Sequence, residues 1–184
     1  TSLPISAHCE DEQTIKNNLK KYKEIYGEDI PIHVHPKIRS VEACYKSSKF
    51  AIELAKRTGA KLNVFHISTQ MELDLFENTL PVEQKKITAE VCAHHLWFTD
   101  KDYEKLGSKI KWNPAIKSKS DKDSLWKAIK EDKIDIIASD HAPHTEIEKE
   151  NSYFNCPSGG PMVQHTIISL LDESPKHGVN IEKV

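Results

Sequence analysis

IIASDHAPH, residues 136–144, joins an apolar segment directly to a cluster of polar residues. Its apolar first half predicts a buried β-strand, and the strand ends on Asp140, which is followed closely by His141 and His144. A strand that delivers a carboxylate and two imidazoles into one loop builds a pocket suited to metal binding and proton transfer. The stretch therefore predicts that residues for metal binding or proton transfer lie at the end of this strand.

Two further histidines follow similar apolar stretches. His8 lies in LPISAHCED, residues 3–11, and His66 lies in KLNVFHIST, residues 61–69. Polar groups at the ends of several strands come together only if the strands are parallel and close in the sheet. The pattern therefore predicts the mouth of a (β/α) barrel. The simpler interpretation is that each histidine is an inert polar cap of its strand, and that Asp140 caps a short turn.

The rest of the chain alternates between strand and helix patterns. Strands are predicted over residues 3–7, 62–65, 87–92 and 134–138, and helices over 11–26, 40–57, 69–77, 119–130 and 162–171. Strands separated by helices favour parallel βαβ units over a sandwich. The predicted fold class is α/β, a TIM-type (β/α) barrel of which this chain forms about four βα units.

Composition excludes several classes of protein. The 184 residues carry 26 basic and 28 acidic side chains, so nothing indicates a nucleic-acid partner or an anionic membrane surface. No apolar run reaches the roughly 18 residues of a membrane span. The four cysteines are scattered without a CxxC spacing, which indicates reduced thiols in a cytoplasmic protein. A complete barrel needs about 250 residues, so the chain is expected to be a single segment of one.

Six sequence motifs, taken in order, resemble the amidohydrolase superfamily of metal-dependent hydrolases, and within it the dihydroorotases of the hydantoinase-like type. They are AHCED (7–11), FHIST (65–69), AEVCAHHLWFT (89–99), WNPAIKS (112–118), SDHAPH (139–144) and CPSGGPMVQHT (156–166). The resemblance covers nearly the whole chain and begins at the fifth barrel strand of the family. It implies that residues 1–184 are strands 5 to 8 of the barrel, truncated at both ends.

The resemblance also implies roles for the strand-end residues. His8 and His66 correspond to ligands of the family's second metal ion, and Asp140 to a ligand of the first that also acts as acid and base. The implied cofactor is zinc, as two ions in the complete enzyme. The pair His94 and His95 is interpreted as structural.

Four more residues are implied to bind a small-molecule substrate. By resemblance, His144 binds the substrate carboxylate and Asn113 the ring, while the backbone around Gly160 and Pro161 closes over it. His33-Val-His35 has the spacing of the family's first metal-binding pair but stands in the wrong place in the chain. Only incidental metal binding is expected there, if the segment is extended.

The expected function of the parent enzyme is the reversible interconversion of N-carbamoyl-L-aspartate and dihydroorotate in pyrimidine biosynthesis. Two alternatives stay open: a dihydropyrimidinase, hydantoinase or allantoinase, or a non-catalytic scaffold for a transcarbamoylase. The family's first-strand His-x-His pair and its bridging Lys or Asp lie upstream of the matched region. We therefore expect the N-terminal half of the barrel as a partner, a possible homodimer, and little or no activity from this segment alone.

Overall fold

Four parallel strands form one sheet in the computed structural model, which describes residues 3–184. The strands are β1 (Ile5–Ala7), β2 (Leu62–Val64), β3 (Ile87–Cys92) and β4 (Ile136–Ala138). They stand side by side in chain order, with Ala7 level with Val64, Val64 level with Ala89, and Cys92 level with Ala138. Consecutive parallel strands joined by helical crossovers are the arrangement of a (β/α) barrel wall. The predicted α/β fold class, as part of a barrel, is confirmed.

Eight α-helices lie among the described residues. They are α1 (Glu12–Tyr26), α2 (His35–Ile38), α3 (Val41–Thr58), α4 (Ala93–Trp97), α5 (Tyr103–Leu106), α6 (Lys119–Lys130), α7 (Glu146–Lys149) and α8 (Thr166–Glu173). Short 3-10 helices occupy Ile32–Val34, Met71–Leu75, Val82–Gln84, Asp100–Asp102, Gly107–Ile110, Ser174–His177 and Ile181–Lys183. In residues 3–184, no helix combines the length and apolar character that crossing a membrane requires.

The three long helices begin where the sequence predicts, because each has a side-chain cap. Asp11, Ser40 and Ser118 accept hydrogen bonds from the backbone N–H three residues ahead and so satisfy a donor that the first turn leaves unpaired. Helix α3 ends at Gly59, whose φ of 72° is a left-handed conformation that glycine adopts without steric cost.

Two predicted helices are wrong in extent. The helix predicted over 69–77 is only the 3-10 helix Met71–Leu75. The buried carboxylate of Glu72 accepts hydrogen bonds from the Ser68 backbone N–H and from the hydroxyls of Ser48 and Thr69. These bonds hold the turn in a local geometry that competes with a regular helix. The helix predicted over 162–171 is observed as Thr166–Glu173, preceded by a turn in which the Met162 carbonyl accepts from the N–H groups of His165 and Thr166.

The main core lies between the sheet and the helices α3 and α6. Val64, Ala89 and Val91 of the strands are completely buried, and Ile52 of α3 and Trp126 of α6 are almost so. The Trp126 indole N–H donates to the Leu96 carbonyl at 3.0 Å, so this large ring is buried without an unpaired donor. The core fixes the sheet, and the sheet fixes the positions of the loops that leave its carboxyl edge.

Candidate metal centre

The residues predicted as metal ligands lie at one edge of the sheet. His8 directly follows β1, His66 lies two residues beyond β2, and Asp140 lies two residues beyond β4. Because the strands are parallel, all three stand at the carboxyl ends, where (β/α) barrels carry their active sites. His66 and Asp140, with φ of 40° and 44°, are two of only three non-glycine residues with positive φ in residues 3–184. Such strained backbone clusters at functional sites.

His8 and His66 face each other with ring nitrogens in contact. His8 Nδ1 lies 2.9 Å from His66 Nε2, and the ring centroids are 4.7 Å apart in an edge-on arrangement. Nitrogen ligands about 2.0–2.1 Å from a tetrahedral zinc ion stand about 3.4 Å from each other, so a small opening of this pair admits the ion. Burial, together with the neighbouring His8 ring, lowers the pKa of His66 to about 4. The ring is therefore neutral near pH 7, the form that binds metal.

Glu10 orients His8, a role that the sequence analysis missed. Its carboxylate lies 3.0 Å from His8 Nε2 and also accepts a hydrogen bond from Arg39. Burial alone would raise the pKa of Glu10, but the His8 hydrogen bond and the Arg39 charge lower it below its usual value. A carboxylate bonded to one imidazole nitrogen fixes the ring and leaves the other nitrogen for a metal ion.

Asp140 joins a second group of donors that were not all predicted. Its carboxylate, the thiol of Cys92 and a ring nitrogen of His94 lie within 4.8 Å of one another. Burial raises the pKa of Asp140, against the lowering effect of the nearby His8. A carboxyl with a raised pKa exchanges protons more readily near neutral pH, as a general acid or base requires.

The His94–His95 pair divides into two different roles. His95 Nε2 lies 3.1 Å from the Pro114 carbonyl, a contact that suits the predicted structural role. His94 is fully buried, its ring stacks on Trp112 at 4.5 Å, and neither ring nitrogen has a hydrogen-bond partner among residues 3–184. The structural interpretation therefore leaves His94 unexplained.

His33-Val-His35 does not form the extended pair that incidental metal binding would need. The segment is helical, in Ile32–Val34 and α2, and His33 is exposed. His35 is buried, with Nδ1 2.9 Å from the Tyr153 hydroxyl and Nε2 2.8 Å from the Trp112 carbonyl. Both nitrogens of His35 are occupied by packing partners, so it offers no ligand atom.

The predicted substrate residues lie in loops that converge beside this edge. His141 forms a bridge with Gly160, and the Ala142 N–H donates to the Gly160 carbonyl at 3.2 Å. His144 Nε2 lies 3.2 Å from the Ser158 carbonyl. The side-chain oxygen of Asn113 is buried without a hydrogen-bond partner in the described residues, as expected of a group that awaits a ligand.

Gly160 has a steric reason to be glycine. A Cβ built on it would lie 2.4 Å from Cζ2 of Trp112, closer than any side chain tolerates. Pro161, which follows, is exposed. This loop lies against Trp112, the neighbour of Asn113, so the predicted ring-binding residues lie on one side of the site. We call this side, residues 111–113 and 153–161, the wall.

Two buried lysines hold this wall together. Lys149 Nζ donates to the carbonyls of Pro157 and Gly159, each at 2.9 Å, and to that of Lys111 at 3.2 Å. Lys111 Nζ donates to the carbonyls of Tyr153 and Cys156, each at 2.6 Å. Burial lowers the pKa of both lysines. These charges act on main-chain carbonyls, so their role is to fix the loop over residues 153–159.

A separate cavity of about 570 Å³ lies at the opposite, amino-terminal end of the strands. It is lined in part by Gly59, Ala60 and Ile87, which stand at the amino-terminal ends of β2 and β3. None of the predicted site residues lines it. The chemistry of the strand ends is therefore independent of this cavity.

Comparison with known proteins agrees with the fold. A dihydroorotase of Deinococcus radiodurans is 39% identical over 112 residues, covering 59% of this chain and 26% of that protein. An allantoinase of Bacillus velezensis is 31% identical over 161 residues, covering 84% of this chain and 34% of that protein. The L-hydantoinase structure from Arthrobacter aurescens matches with a TM-score of 0.89 at 23% identity, covering 99% of this chain and 41% of that chain.

No family model matches the chain. The chain spans between about a quarter and two fifths of the length of these similar proteins. The sequence matches nevertheless include both dihydroorotases and an allantoinase, and the fold matches include hydantoinases. The chain is similar in sequence to dihydroorotases and an allantoinase and in fold to hydantoinases, which agrees with its resemblance to the amidohydrolase superfamily.

Proposed function

We propose that the protein carrying this chain is a zinc-dependent cyclic amide hydrolase, and that its reaction is the reversible interconversion of dihydroorotate and N-carbamoyl-L-aspartate. The observation that carries the proposal is the meeting of His8, His66 and Asp140 at one carboxyl edge of the sheet. Cyclic amide hydrolysis is supported by dihydroorotase, allantoinase and hydantoinase relatives alike. The choice of dihydroorotate rests on the SDHAPH and NPAIKS motifs.

The donor set fits zinc. His8 and His66 present two imidazole nitrogens 2.9 Å apart, and the second nitrogen of His66 is buried without a partner in the described chain. When bound, zinc polarises the amide carbonyl and supplies hydroxide at neutral pH. We propose that the other barrel strands of the whole protein, in the same chain or in a partner, supply the remaining ligands.

The protein's own residues perform the proton transfer and the binding of the ring. Asp140 accepts a proton from the attacking water and returns it to the ring nitrogen as the C–N bond breaks, for which its raised pKa is suited. Glu10 holds His8 in place through Nε2. In this proposal the Asn113 amide binds the ring, and His144 binds the substrate carboxylate beside the loop of Gly160 and Pro161.

Substitution of His144 tests the choice of substrate. In the complete zinc-loaded enzyme, His144→Ala removes a strong hydrogen bond to a carboxylate, about 1.5 to 3 kcal/mol, or roughly ten- to a hundredfold in kcat/KM for dihydroorotate. Turnover of dihydrouracil, a ring without that carboxylate, is expected to change little. The control is His33→Ala, an exposed histidine that is expected to affect neither substrate.

Two results would contradict the proposal. Equal losses on both rings, or a wild-type preference for dihydrouracil, would assign the chain to the dihydropyrimidinase branch. No turnover of any cyclic amide by the complete zinc-loaded protein would favour a non-catalytic scaffold.

A further inference from the structure

Three different metal-binding donors meet at the ends of β3 and β4. Cys92 is the last residue of β3, His94 follows in the first turn of α4, and Asp140 follows β4. Their donor atoms lie within 4.8 Å of one another. The pairing of Cys92 with Ala138 explains the meeting, because it aligns the end of β3 with the end of β4. The three donors are different residues from the His8–His66 pair, which lies near enough for His8 to act on Asp140 electrostatically.

His94 supplies the independent sign that the group binds something. The residue is 0% exposed, and neither of its ring nitrogens has a hydrogen-bond partner in residues 3–184. Leaving such a group buried and unpaired costs free energy, so natural proteins seldom do it without a reason. Stacking on Trp112, with the two planes 7° from parallel, fixes the plane of the imidazole. A ligand that bonds the ring nitrogen would remove the cost.

We propose that Cys92, His94 and Asp140 form a binding site for a thiophilic divalent cation of the zinc and cadmium type, separate from the His8–His66 pair. Thiolate, imidazole and carboxylate are all ligands that such ions accept, and three protein ligands leave one position open. Ligand atoms around a tetrahedral zinc ion lie about 3.3 to 3.8 Å apart, so donor atoms within 4.8 Å of one another need to close by at most about 1 to 1.5 Å on binding. The ion displaces the thiol proton of Cys92, which passes to solvent, and a metal–sulfur bond forms.

The exposed side of the site is Asp140, since Cys92 and His94 are buried. The ion therefore enters past the same carboxylate that the proposed function uses for proton transfer. Resting on that proposed function, occupation of the site is expected to inhibit ring opening, because the added cation competes for the Asp140 carboxylate that the reaction uses. Binding of the cation does not depend on the proposed function and can be measured without turnover.

Cadmium titration of the reduced, chelator-treated 184-residue chain tests the site without any activity assay. A cadmium–thiolate bond produces a charge-transfer absorption in the ultraviolet, and the wild-type chain is expected to develop it with one equivalent of Cd²⁺. Cys92→Ser is expected to abolish it. His94→Gln is expected to keep the band but weaken cadmium affinity at least about tenfold, the lower range for loss of outer partners of a metal site.

Matched controls separate this site from its neighbours. Cys9→Ser removes a buried thiol beside His8 that contacts the Ala7 carbonyl, and it is expected to leave the band unchanged. The double variant His8→Ala/His66→Ala is also expected to retain it. Circular dichroism identifies any variant that fails to fold, and Cys92→Ala then replaces Cys92→Ser.

Three results would overturn the proposal. The first is that the wild-type chain develops no cadmium–thiolate band, and the second is that the band persists in Cys92→Ser. The third is that the band is lost in the His8→Ala/His66→Ala variant, which would mean that the thiol binds the same ion as the histidine pair. Failure of ring hydrolysis in the complete enzyme would instead count against the proposed function and leave the cadmium result standing.

Discussion

Replacing Lys149 with methionine is expected to loosen the wall that carries Gly160. The ammonium group of Lys149 bonds three main-chain carbonyls, and the Lys111 carbonyl among them keeps a second partner, the Gly159 N–H at 2.9 Å. Among residues 3–184, the change therefore leaves the Gly159 carbonyl without a partner and the Pro157 carbonyl with only the weak Cys156 thiol donor at 3.4 Å. Each orphaned buried acceptor costs about 1 to 3 kcal/mol, and release of a half-desolvated charge offsets part of this. We expect a net loss of about 2 to 4 kcal/mol.

Urea denaturation of the wild-type and Lys149→Met chains measures this loss. Hydrogen exchange at the Gly159 amide adds a local readout, since that N–H depends on the same junction with Lys111. The control is Lys109→Met, which removes an exposed ion pair to Glu146 at 3.0 Å and is expected to change neither measurement. If Lys149→Met unfolds at the same urea concentration as Lys109→Met, Lys149 does not stabilise the chain through its bonds to the main-chain carbonyls.

Two other substitutions give independent tests. Gly160→Ala forces a Cβ against Trp112 and should cost about 1 to 3 kcal/mol by urea denaturation, as overpacking does; an unchanged midpoint would show that the loop moves freely. Burial lowers the pKa of His35 to about 3, so between that value and its unfolded pKa near 6.5 the unfolded chain binds the extra proton, and stability falls as the pH falls. His35→Gln should reduce this slope by about 1.4 kcal/mol per pH unit between pH 6 and 4. An identical slope in denaturation series of both chains would contradict that assignment.

Much of the fold could be predicted because its signals are local. Asp11, Ser40 and Ser118 mark the starts of the long helices by their own hydrogen bonds, and the apolar runs mark the strands. The segment at Met71–Leu75 could not be predicted, because its geometry depends on Glu72 bonding to Ser48, a residue of another helix. Side-chain bonds across elements leave no periodic pattern in the sequence.

In the candidate metal centre, the sequence predicted residues that closely follow an apolar strand. His8, His66 and Asp140 follow apolar runs, and the same rule applied to β3 leads to His94, which was interpreted as structural, whereas Cys92 lies inside the strand. Glu10 lies next to the motif, but its role depends on the approach of Arg39 from a distant loop. The ligand roles of His8, His66 and Asp140, and the substrate roles of Asn113, His144, Gly160 and Pro161, stay predictions.

Zinc affinity of the histidine pair shows whether the carboxyl edge of the sheet is a metal centre. The measurement is competition with a chromophoric chelator, made in the Cys92→Ser background so that the thiol does not contribute. We predict that His66→Ala lowers the zinc affinity at least about tenfold, since a ligand contributes no less than the outer partners of a metal site, whereas His33→Ala leaves it unchanged. Equal zinc affinity in the His66→Ala and His33→Ala chains would contradict the assignment of a metal centre to the carboxyl edge of the sheet.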